Sequence, residues 1–217
     1  MVKHSKSLAA SQPVMSRPGE GQPVSVVTKT AFDKDGKAVQ IMKANMITAP
    51  VPDRKYACHV ASVVDKRGDA HLMFGQEKIA SDDLRSLVVV SMGPFAIESF
   101  LESLKRLDSG SSIDDLAEQV HISSEPLTKI KEEPTSTIGF RANQIVVSIA
   151  NDEACLDFYQ VSASALRVSS ANQTVAVEPI VRVEMKFALF LSVVAELRQI
   201  LSRLPKLKPI VFQEAAT

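Results

Sequence analysis

Cys58, His59 and His71 are of the types that hold metals, and Asp65, Asp69, Asp152, Glu153 and Asp157 are of those that bind cations or move protons. Their spacing argues against both chemistries. A tetrahedral metal site needs converging ligands, commonly supplied through a CxxC pair. Cys58 and His59 are neighbours on an expected strand, so they point to opposite faces, and no CxxC occurs. Asp65, Asp69, Asp152 and Glu153 fall in expected hairpin turns, where Asp is favoured for its bonds to nearby backbone. Asp157 stands between Leu156 and Phe158, on the opposite face of a strand from both. Arg182, on a later strand, is its expected partner in a cross-strand ion pair. General acid–base chemistry would need a second activated group beside it. No GxSxG, HExxH, phosphate-binding loop or GxGxxG is present. No catalytic residue, cofactor or metal is expected, and the chain reads as a protein other than an enzyme.

One stretch suggests nucleic acid. Residues 113 to 133 resemble a helix-turn-helix, with Leu116-Ala117, Ile122-Ser123 and Leu127 where that motif places apolar and small residues. His121 stands where glycine is usual. The second helix should carry basic or amide side chains to the major groove, but here Glu125, Glu132 and Glu133 oppose Lys129 and Lys131. Phosphate is repelled as much as attracted. A DNA-binding regulator acting through 113–133 is the alternative reading, and a solvated linker with one or two short helices is the favoured one. Twenty-five basic residues cancel 25 acidic ones, so no global charge draws the chain to nucleic acid or to an anionic membrane.

The elements that would position these residues come as one unit written twice. The first copy runs from Tyr56 to Leu107 and the second from about Phe140 to Leu204. Residues 70–76 (AHLMFGQ) align with 154–160 (ACLDFYQ), and Val90-Ser91-Met92 aligns with Val183-Glu184-Met185. Ile97, Phe100, Leu101, Leu104 and Leu107 then match Phe190, Val193, Val194, Leu197 and Ile200 without a gap. Each copy reads as a strand, a turn, a returning strand, a third strand and a helix. Strands are expected at Cys58–Val64, Ala70–Phe74 and Leu84–Met92, and again at Gln144–Ala150, Ala154–Val161 and Thr174–Met185. Pro179 implies a bulge or an edge there. Gly93-Pro94 ends a strand and starts a helix. The second helix, Phe187 to Leu204, is apolar around nearly its whole circumference in its first two turns, so it needs cover on more than one side. Either the other copy or a second chain must supply it, and Phe187, Leu189, Leu191 and Val194 are the candidates for contact with a second chain.

Around these copies, residues 1–22 read as a disordered tail rich in Ser, Pro, Gly and Gln. Val24–Lys29 and Ala38–Met42 flank the turn-forming residues 33–37 and read as a hairpin added to the first copy, which then spans 23–107. Residues 108–139 are a polar linker in which Ser112 caps a short helix, and 140–217 hold the second copy and a tail. The basic N-terminus lacks the apolar run of a signal peptide, and the longest apolar stretch, Phe187 to Ala195, is too short to cross a bilayer. Two cysteines at non-equivalent positions suit buried thiols in a reducing cytosol.

The second copy resembles a small bacterial domain family of unknown function. The residues that carry the likeness are Phe140, Ala142-Asn143, Ser148, Leu156-Asp157-Phe158 and Arg182-Val183-Glu184-Met185. The first copy supplies Tyr56, Leu72-Met73-Phe74-Gly75 and Met92-Gly93-Pro94. The resemblance implies a strand-rich unit with a C-terminal helix and no known chemistry. The order of antiparallel strands followed by a helix is also similar to the SecB-type export chaperones at the level of fold.

These observations lead to an α+β protein of two tandem related units, pseudo-dimeric, each of antiparallel strands followed by a helix. The expected function is that of a non-enzymatic, cytoplasmic protein-binding or assembly protein, chaperone-like in one version. Its expected partners are a protein or peptide and further copies of itself, with no membrane.

Overall fold

The computed structural model describes residues 21–32, 38–77, 84–105, 112–119, 127, 130, 137–162 and 174–203. The turn at 33–37, the distal part of the 113–133 segment and the stretches 1–20 and 204–217 lie outside the described residues. The strands are β1 (Gln22–Phe32), β2 (Ala38–Ala44), β3 (Lys55–Ala57), β4 (Val60–Lys66), β5 (Asp69–Glu77), β6 (Leu84–Met92), β7 (Ile138–Arg141), β8 (Gln144–Ala150), β9 (Glu153–Val161) and β10 (Thr174–Lys186). The α-helices are α1 (Pro94–Ser103), α2 (Ile113–Gln119) and α3 (Phe187–Arg203). Antiparallel pairing dominates, and the class is α+β.

Local chemistry explains the joints. In the β4–β5 turn Arg67 and Gly68 both take positive φ, 61° and 85°, as a tight hairpin turn requires. The Gly68 amide donates to Asp65 Oδ1 at 3.1 Å. Asn151, φ 55°, opens the β8–β9 turn, a conformation that Asn tolerates. Gly93 caps α1 and Pro94 fills its first position. Ser112 and Asp115 cap α2 reciprocally: Ser112 Oγ accepts from the Asp115 amide at 3.1 Å, and Asp115 Oδ2 from the Ser112 amide at 2.8 Å.

Two sheets result. One runs β2-β1-β10-β9-β8, with β3 also on β10, and the other runs β4-β5-β6-β7. The two short strands cross between the aligned stretches. β3 precedes the first stretch yet pairs parallel with β10, Tyr56 opposite Val183. β7 precedes the second stretch yet pairs parallel with β6, Phe140 opposite Val90. The Cys58 amide donates to Glu184 O at 2.8 Å, and the Ala142 amide to Ser91 O at 3.1 Å. Val60 lies opposite Gly75, and Gln144 opposite Tyr159. Bulges leave Leu87 unmatched between β5 and β6, and Ile180 between β9 and β10. The second bulge is the one that Pro179 implies. At the first, a Cβ on Gly75 would lie 2.3 Å from the Arg85 carbonyl oxygen.

α3 packs on β4, β9, β10 and α1, while α1 packs on β5 and β8. Each helix therefore touches both sheets, and a single core joins Leu72, Phe74, Val88, Ile97 and Phe100 to Leu156, Phe158, Val183, Phe190 and Leu197. A second, smaller core of Val24, Tyr159, Val161, Val175 and Val177 lies under β1.

Three expectations change. The N-terminal hairpin joins the sheet of the second copy, because β1 pairs with the N-terminal half of β10, Gln22 opposite Val177. The thirteen-residue β10 extends past its bulge and offers that free edge, and the second core forms there. Gln22, assigned to the tail, opens β1. Cys58 lies between β3 and β4 instead of on a strand.

Candidate protein-interaction site

Among the described residues β8 is an open edge of its sheet, and its hydrogen-bonding phase follows from the turn beside it. The two-residue turn Asn151–Asp152 makes Ala150 and Glu153 a bonded pair. Alternate residues Ser148, Val146 and Gln144 therefore exchange bonds with β9. The N–H and C=O groups of Ile145, Val147 and Ile149 point away from the sheet. Gln144-Ile-Val-Val-Ser-Ile-Ala150 contains no charge and no proline. Proteins commonly protect edges with charged side chains or proline. The other described strands at sheet edges do carry charge: Lys43 on β2, Lys55 on β3, Asp65 and Lys66 on β4, and Arg141 on β7.

The side chains of β8 are also less covered than those of β4, the strand with which it aligns. Val60, Ala61, Ser62 and Val63 are buried, while Gln144, Ile145, Val146 and Val147 are half-buried. The helices that pack on the two strands differ in length. α3, with 17 residues, covers β4, and α1, with 10, covers β8. At 1.5 Å per residue α3 is about 26 Å long and α1 about 15 Å. A seven-residue strand is roughly 23 Å long, longer than α1 and shorter than α3. Ile145, Val147 and Ile149 reach the main core from their side of the strand but are not sealed into it.

At the other end, the backbone of β8 is held by the Ala142-Asn143 pair. The Asn143 side chain donates to the Val161 carbonyl at 2.7 Å and accepts from the Val161 amide at 2.8 Å. It thus takes the place of a strand residue and keeps β9 paired beyond the end of β8.

The residues singled out for chemistry do not converge. Arg182 donates to Asp157 through Nε and Nη2, each at 2.6 Å, and the two are directly opposite across β9 and β10. The expected ion pair is present, with the Asp157 side chain 7% and the Arg182 side chain 19% exposed. The hydrogen bond from Asp157 raises the Arg182 pKa further. Met73 and Val89 are opposite each other at the matching place on β5 and β6, and both are buried. Cys58 is buried, and loss of solvent pushes its thiol up to about 12. Cys155 is half-buried, short of the expected burial, and is raised by partial burial and by Glu184. Asp65 bonds its own turn, and Asp152 accepts from Lys186 at 2.7 Å, which lowers the pKa of Asp152. Among the described residues no group of three or more His, Cys, Asp or Glu side chains is placed to hold a metal.

His71 meets Ser91 Oγ at 3.3 Å through Nδ1. Together with Lys66, Arg67, Asp69 and Arg141 they line a shallow recess of about 290 Å³ at the β4–β5 turn. Arg141 lies 3.7 Å from Asp69 there, so part of its positive charge is already balanced. Of the 113–133 segment, α2 exposes Asp114, Asp115 and Glu118, and Asp114 accepts from Arg198 on α3.

Phe187, Leu191 and Val194 are buried within the chain, and Leu189 is half-buried. The cover that α3 requires comes from β4 and α1. This removes three of the four residues from any surface a second chain could touch. The hydrophobic pattern does not single out the β8 edge. Its sequence signal is the absence of charge across Gln144–Ala150. No described helix is long and apolar enough to cross a membrane. Comparison with protein-family models, with curated proteins and with solved structures finds no match.

Proposed function

We propose that this chain is a non-enzymatic, cytosolic protein-binding and assembly module, built as a pseudo-dimer, that accepts an extended polypeptide strand along β8. The observation that carries the reading is the row of outward N–H and C=O groups at Ile145, Val147 and Ile149, on a strand without charge whose core-facing side chains are half-buried. An added strand satisfies that row and covers those side chains together, as in recognition by strand addition. A chaperone-like use, in which an unfolded client supplies the strand, is the concrete version this edge fits.

The pseudo-dimer is supported by paired register. Tyr56 opposite Val183 matches Phe140 opposite Val90, and the bulge at Leu87 matches that at Ile180. The reciprocal exchange of β3 and β7 between the sheets is what two swapped copies of one unit would make. The unequal helices then mark where the copies have diverged. Two unpaired cysteines support a reducing compartment.

The test is binding of synthetic extended peptides with alternating apolar residues, followed by fluorescence anisotropy. Val147→Pro removes one outward donor and leaves the β9 bonds in place. The reading expects peptides to bind the wild type and to lose affinity by tenfold or more for this variant. Equal affinity for both would refute it.

A further inference from the structure

We propose that the strand β8 accepts is β8 of a second copy of this chain, paired antiparallel about a two-fold axis at Val147. This rests on the strand-addition reading and names its occupant. The outward groups are self-complementary. Around Val147, Ile145 of one copy meets Ile149 of the other, and Val147 meets Val147. Three residues per copy each carry one outward N–H and one outward C=O, so every donor of one edge finds an acceptor on the other.

The side chains obey the same two-fold. On the core side, Ile145 packs against Ile149 and Val147 against its own copy. On the outer side, Val146 meets Ser148 and Gln144 meets Ala150. A charged residue near the axis would lie close to its own copy and repel it, and β8 has none. β4, the matched strand at the edge of the other sheet, carries Asp65 and Lys66. The self-pairing thus has one place to occur among the described edges. The half-buried Ile145, Val147 and Ile149 of the two copies also cover each other. A single seven-residue strand pair is a small interface, under roughly 1,200 Å² in all, and such contacts are weak. The expected dimer dissociates in the micromolar range.

The experiment is sedimentation equilibrium of the full chain from low to high micromolar concentration, with two variants. Val147→Pro deletes a donor that faces away from β9. Ser148→Lys puts a charge on an exposed outer position, close to its own copy across the axis. The wild type is expected to pass from one copy to two as concentration rises. Both variants are expected to stay single, tenfold or more weakened, with unchanged circular dichroism. A lysine-flanked synthetic peptide of Gln144–Ala150 completes the test. Binding of that peptide by a wild-type chain that stays single at all concentrations overturns the second copy and keeps strand addition. Neither binding nor pairing overturns both. Dimers that persist in both folded variants overturn the β8 axis.

Discussion

The Asp157–Arg182 pair and the Met73–Val89 pair make a natural substitution experiment within one chain. Each pair sits at the same place on its strands, directly opposite, and one is ionic where the other is apolar. Asp157→Met alone leaves a guanidinium without its two 2.6 Å acceptors. Breaking a buried pair from one side costs about 3–5 kcal/mol. Arg182 is 19% exposed and reaches water in part, so the expected loss is the lower figure, about 3 kcal/mol. For a chain of this size that lowers the melting temperature by roughly 6–12 °C. Asp157→Met with Arg182→Val installs the apolar pair of the other unit. It should recover to within about 1 kcal/mol of the wild type, because a well-packed apolar pair commonly replaces a buried ion pair without loss. The coupling between the two changes is then about 2 kcal/mol or more. Urea unfolding of the wild type, both single variants and the double variant measures it. A double variant no more stable than Asp157→Met would refute the reasoning.

Four further outcomes follow from the same structure. Burial holds the Cys58 thiol at about 12 against 9.0, and burial holds the Tyr159 hydroxyl at about 12 against 10.0. Both folded values are raised, so their contribution is fully present below pH 9 and is lost as pH rises toward 12; the urea midpoint should fall across that window, and less steeply in Cys58→Ala with Tyr159→Phe. A thiol reagent at pH 8 should modify Cys155 first and reach Cys58 only on unfolding; equal rates for the two would contradict their burial. Asn143→Ala removes both bonds to Val161 and leaves that amide and carbonyl unpaired, for a loss of about 2–3 kcal/mol by urea unfolding. Gly75→Ala drives a Cβ to 2.3 Å from the Arg85 carbonyl and should cost about 2 kcal/mol or more in the same assay, since the contact is with backbone in a packed bulge.

Much of this architecture can be read from residue pattern. β6 and β8 start and end where alternation and turn residues place them, because each is bounded by its own local signals: Gly93-Pro94 for β6 and Asn151-Asp152 for β8. The cross-strand partnership of Asp157 with Arg182 is also legible, since a lone acid among apolar neighbours on a sheet needs a cation within reach. The short strands β3 and β7 are not legible. Three or four residues such as Lys55–Ala57 carry no periodicity, and what makes them strands is a partner more than forty residues away, which local pattern cannot specify. The sheet chosen by the N-terminal hairpin is decided likewise by a free length of β10. The burial of Phe187, Leu191 and Val194 depends on which element lies over α3. Composition around the helix shows that cover is needed and leaves its source open. That β8 ends its sheet follows from strand order, which local pattern does not specify.

Amide hydrogen exchange along Gln144–Ala150, followed residue by residue at two protein concentrations, tests the β8 edge most directly. In dilute protein the amides of Val146 and Ser148, bonded to β9, should be protected, while those of Ile145, Val147 and Ile149 exchange freely; in concentrated protein all five should be slow. Uniform protection of the five in dilute protein, or free exchange at Ile145, Val147 and Ile149 at every concentration, would contradict the account.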